Sequence, residues 1–153
     1  MIRPSTTAPD AAPDRPAVFR ALVLGLLAGV AIALVYGVLS EPFELTLGLI
    51  VVGIVGGWVI GAAVTAGGWA GRPHPVVRSM QVTAAAVAVV AWVVGLGIAY
   101  VVSQVLIPQA STALAERISV SGFLGYFVGL DLVRFIHVIA LALMAFVAWR
   151  GAR

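Results

Sequence analysis

An all-α integral membrane bundle of four helices is the fold this sequence predicts, with both termini on the cytoplasmic side and the third and fourth helices overlong on the outer side. Three observations predict it. Of the 153 residues, 62% are hydrophobic and only 10% charged, whereas soluble domains carry about a quarter charged residues. Apolar runs of the roughly 20 residues needed to cross about 30 Å of hydrocarbon recur four times along the chain. The basic residues, all of them Arg, gather beside alternate ends of those runs: Arg3, Arg15 and Arg20, then Arg72 and Arg78, then Arg150 and Arg153. Only Arg117 occupies a loop on the opposite side, so the positive-inside rule puts both termini in the cytoplasm.

The tail, residues 1–16, holds four Pro among small polar residues and is expected to be disordered; residues 17–153 form the membrane domain. The first apolar run, about 20–39, is too long for the apolar part of a signal peptide. No small-x-small cleavage site precedes the loop Ser40 to Glu44, so this helix is expected to stay as an anchor. Within it Gly25, Gly29, Ala33 and Gly37 recur every fourth residue. That spacing puts small residues on one stripe where another backbone can come close, and close packing is what drives helix association in lipid. The second run, about 45–69, repeats the device with Gly53, Gly57, Gly61 and Thr65, so the two neighbouring helices are expected to pack on each other.

The third run, 79–107, ends before Pro108 and carries Ala91, Gly95, Ala99 and Ser103 as its stripe. At 1.5 Å per residue it is about 43 Å long, which exceeds the hydrocarbon thickness and demands tilt or protrusion. The fourth, 121–150, finishes on Trp149-Arg150, an interfacial anchor pair, and overruns at the same outer end. Trp58-Val59-Ile60-Gly61 and Trp92-Val93-Val94-Gly95 resemble each other in oppositely directed helices, a weak inverted repeat.

The fourth run alone contains ionisable groups: Asp131, Arg134 and His137, each one helical turn from the next. Charge within hydrocarbon costs a few kcal/mol. Counting depth from the Arg anchors puts Tyr36 level with Arg134, Trp92 near His137, and Glu41 just above, so Asp131, Arg134, His137, Tyr36 and Glu41 form the candidate polar cluster. Two readings follow from it. In one, Asp131 and Arg134 neutralise each other and fix helix register; in the other, Asp131 and His137 relay protons or meet a substrate.

Enzymatic equipment is missing. No G-x-S-x-G, H-E-x-x-H or phosphate-binding loop occurs, so no catalytic residue is expected. With no Cys, thiolate chemistry and Cys-bound zinc are excluded. The two His, at 74 and 137, stand at different depths, which leaves no metal site or haem ligation and predicts no cofactor. Nucleic acid is also excluded as a partner, because the Arg residues are spent on topology. The expected partners are the lipid bilayer and either a membrane-protein partner or a second copy. The main functional expectation is a structural or accessory subunit of a bacterial cytoplasmic (inner) membrane. The alternative is a small transporter or channel using Asp131, Arg134 and His137. A lipid-binding or sensing role would require an outer pocket around Tyr100, Gln104 and Tyr126.

Overall fold

A computed structural model describes residues 15–40, 46–69, 78–106, 118–128 and 132–152 of the chain. The expectations for Glu41, Asp131 and the tail up to residue 14 fall outside the described residues. All regular structure within them is helical: α1 (Arg15–Ser40), α2 (Thr46–Trp69), α3 (Arg78–Leu106), α4 (Val120–Val128) and α5 (Leu132–Gly151). Three of these, α1, α2 and α3, are long and apolar enough to cross a bilayer, which makes this a membrane protein. Helix is the secondary structure such a run must adopt, because hydrocarbon offers no partner to an exposed peptide group. α1 begins inside the expected tail, and Pro16 fits its first turn, where a missing N–H forfeits no helical bond.

Three aliphatic hydroxyls in the spans are satisfied within their own helices. Thr65 Oγ1 donates to the Gly61 carbonyl at 3.0 Å, Thr83 Oγ1 to that of Ser79 at 2.8 Å, and Ser103 Oγ to that of Tyr100 at 2.7 Å. Such back-bonding removes the cost of a bare donor in lipid. The outward faces are frankly apolar: Phe19, Leu27 and Trp58 are each more than 60% exposed, a surface that lipid covers and water would not tolerate. Trp58 and its repeat counterpart Trp92 therefore have unlike surroundings, since Trp92 is buried.

α1 packs on both α2 and α3, and α5 packs on α2 and, less extensively, on α3. The glycines show how. A Cβ at Gly29 would stand 3.2 Å from a Val87 methyl and 3.3 Å from Ala91 Cβ, and one at Gly37 would stand 2.7 Å from the Gly95 carbonyl oxygen. Gly25 meets Val64 of α2 as well as Val87. On α2, a Cβ at Gly53 would stand 2.9 Å from the Ala140 carbonyl oxygen, one at Gly57 would fall on that of Met144, and one at Gly61 would stand 2.6 Å from that of Ala148. Residue numbers rise together along both seams, so α1 runs parallel to α3, and α2 parallel to α5.

The first two helices pack on each other as expected, although their small-residue stripes do not meet. α1 and α2 are antiparallel and meet through other positions, Gly56 against Ile32 and Gly67 against the Arg20 carbonyl and Ala21. A stripe spaced by four states that a face accepts close approach but names no partner. Here the α1 stripe serves α3 and the α2 stripe serves α5. One end of the molecule thus collects the starts of α1 and α3 with the finishes of α2 and α5, and is called the basic end below because Arg20, Arg78 and Arg150 lie there.

Within the run 121–150 the described residues form α4 and α5, and residues 129–131 between them lie outside the described residues. Ser119 starts α4: its Oγ accepts from the Gly122 N–H at 3.0 Å, an N-cap bond. α3, at 29 residues, is the longest described helix, and at about 43 Å it exceeds the hydrocarbon thickness by the most.

Candidate functional site

The most buried polar contact joins α1 to α5 across the bundle. Tyr36 is fully buried, His137 nearly so, and the Tyr36 hydroxyl lies 2.6 Å from His137 Nδ1. Their rings meet edge-on, with centroids 5.8 Å apart at 63°. With the phenol donating, Nδ1 accepts and the imidazole hydrogen resides on Nε2. From α3 the Trp92 indole N–H, also buried, lies beside the Tyr36 hydroxyl. Gly95 makes the room: Tyr36 Cδ1 lies 3.2 Å from where a Gly95 Cβ would stand, so even an alanine there would press on the ring. Three helices thus contribute one polar aromatic group each to a shared node.

Of the five residues in the predicted polar cluster, the structure brings Tyr36 and His137 together. Arg134 belongs to α5, and its side chain, like Asp131 and Glu41, lies outside the described residues. Among the described residues no group of three His, Asp or Glu could hold a metal ion. The glycines predicted for packing, Gly25, Gly29, Gly37, Gly53, Gly57, Gly61 and Gly95, all lie within close range of a neighbouring helix of the same chain.

Chemically the node is an enclosed lock. A separate small groove between α1 and α3 holds about 30 Å³, is lined by apolar residues alone, among them Gly29, Ala33, Val87 and Ala91, and does not reach Tyr36, Trp92 or His137. A buried water needs two to four polar partners, and this groove supplies none.

A larger opening lies elsewhere, between α3 and α4. It holds about 720 Å³, and its walls are Val93, Val94, Gly97, Ile98, Val101 and Val102 of α3 with Ile118–Val120 and Phe123. Tyr100 fastens the two helices. Its ring meets Phe123 at 5.9 Å and Tyr126 at 5.6 Å, and its hydroxyl receives the Ser119 N–H at 3.5 Å. Of the residues expected around an outer pocket, Tyr100 lines this crevice, whereas Gln104 and Tyr126 are not among its lining. Gly97 is its most open point: among the described residues nothing lies within 4 Å of where its Cβ would stand. The sequence signal for α4 was Ser119 ahead of an apolar run, a start motif masked by the continuous hydrophobicity around it.

Comparison with protein-family models, with curated proteins and with solved structures finds no match to this chain.

Proposed function

We propose that this protein is a non-enzymatic accessory subunit of a bacterial cytoplasmic membrane, a four-helix bundle that crosses four times with both termini inside and receives another transmembrane helix in the α3–α4 crevice. α5 is the fourth crossing in this reading: it runs parallel to α2 and ends in Trp149-Arg150, with the Arg150 guanidinium 6.0 Å from the Phe146 ring centre. The observation that carries the proposal is where the free volume lies. Both glycine stripes are consumed inside the chain, while Gly97 presents bare backbone to the crevice, with Val93 and Val101 one turn to either side. Small residues flanked by larger ones are the positions at which transmembrane helices approach most closely.

A transporter built on Asp131, Arg134 and His137 has less support, because it needs water at His137. The Tyr36 hydroxyl occupies Nδ1 instead, and both side chains are buried.

Photo-crosslinking tests the proposal. A photoreactive residue at Gly97 or Val101 is expected to capture a membrane protein in native membranes, and the same residue at lipid-facing Leu27 is not. Gly97→Leu is expected to abolish co-purification of that partner and to leave the isolated chain's stability within about 0.5 kcal/mol of wild type, as for a substitution that clashes with nothing. Only lipid adducts at Gly97, or unchanged co-purification of the Gly97→Leu protein, would overturn the reading.

A further inference from the structure

At the basic end a separate cleft opens between α1 and α2, about 300 Å³ in volume and formed by Phe19, Arg20, Val23, Leu24, Ala66 and Gly67. Its geometry follows from Gly67. A Cβ there would stand 2.6 Å from the Arg20 carbonyl oxygen and 2.8 Å from the Ala21 N, so α2 can touch the α1 backbone at this turn and leave the neighbouring side chains to form a groove. Phe19, Arg20 and Ala66 are exposed on its rim. Five of the six lining residues are apolar and the sixth carries a permanent positive charge. Arg78 and Arg150 lie at the same end.

We infer that this cleft binds an anionic phospholipid, with the phosphate on the Arg20 guanidinium and the first part of an acyl chain along Val23, Leu24 and Ala66. The argument is one of matched charge and polarity. A guanidinium presents paired donors in the geometry of a phosphate's oxygens, and it sits at the end of a membrane-spanning helix, where a lipid headgroup lies. Below it the groove is wholly apolar and faces the bilayer. Leu27, one turn past Val23, is exposed and extends the α1 wall for the rest of the chain. The cationic surroundings favour a net-negative lipid over a zwitterionic one, and basic pockets between helix ends are a recurrent form of headgroup site.

The test uses the full chain in nanodiscs of mixed phosphatidylglycerol and phosphatidylcholine, with retained lipid counted by native mass spectrometry after release. Wild type is expected to enrich phosphatidylglycerol about fivefold over the bulk ratio, the preference one interfacial cation can supply. Arg20→Gln should bring the ratio back to that of the bulk, Arg20→Lys should keep part of it, and Ala66→Leu should fill the groove and lower retention of both lipids. Arg150→Gln, which alters the charge of the same end away from the cleft, should retain the enrichment. Circular dichroism melts of each variant establish that the fold is intact. Four results would overturn the assignment: no enrichment in wild type, enrichment surviving in folded Arg20→Gln, equal loss in Arg150→Gln, or displacement of the lipid by millimolar inorganic phosphate. If Arg20→Gln does not fold, undiminished retention by Ala66→Leu overturns it in the same way.

Discussion

Gly57→Ala is expected to destabilise the protein by about 2–3 kcal/mol, and Gly57→Val to prevent its folding. The reason is what the new atom meets. A Cβ at Gly57 would fall on the Met144 carbonyl oxygen and stand 3.0 Å from Met144 Cα. Both are backbone, so no rotamer change relieves the clash. α2 and α5 would have to separate, and because they run parallel the separation also loosens Gly53 against Ala140 and Gly61 against Ala148. Gly56 is the instructive neighbour. Its Cβ would first meet the side chain of Ile32, at 2.6 Å, and not backbone, so a small shift of one side chain relieves the clash and Gly56→Ala should cost less than Gly57→Ala. Unfolding by sodium dodecyl sulfate in mixed micelles, followed by circular dichroism, measures the series. A Gly57→Ala protein as stable as wild type would mean that the α2–α5 seam is not as described.

Tyr36→Phe should cost about 1–2 kcal/mol, although it removes a single oxygen. His137 Nδ1 loses the donor 2.6 Å away, and a buried acceptor deprived of its partner carries its desolvation penalty unrelieved. Hydrogen bonds between membrane helices average less than this, but this one is short and shielded on both sides. His137→Leu should cost a similar amount by stranding the phenol. The decisive quantity is the double variant: Tyr36→Phe with His137→Leu should be destabilised by about 1 kcal/mol less than the sum of the singles. Strict additivity in the same unfolding assay would show that the two residues are not energetically coupled.

The spans were legible in the sequence because long apolar runs leave a chain only one way to satisfy its backbone, and the small-residue stripes were legible because a spacing of four is a local property. Their pairing was not. Nothing in Gly53, Gly57 and Gly61 distinguishes α1 from α5 as the neighbour, since either supplies an apolar helix; the choice depends on rotation about the helix axis. The polar node illustrates the same limit. Depth counting orders Tyr36, Arg134, His137 and Trp92 along the membrane normal, but which of them touch depends on the direction each faces, and the structure bonds Tyr36 to His137, one turn away from the Arg134 level. The start of α4 was hidden because Gly and Ser within an apolar run are ordinary constituents of transmembrane helices, so Ser119 gave no contrast against its surroundings.

The parallel seams have a consequence for biogenesis. Each glycine face waits for a helix that the ribosome has not yet made when the face itself reaches the membrane: α1 must wait for α3, and α2 for α5. A chain released after residue 77 would hold two half-grooves with no rightful occupant, so it should be captured by membrane quality control and degraded faster than the full chain in a pulse-chase experiment. Equal lifetimes would show that α1 and α2 already cover each other's grooves without the later helices.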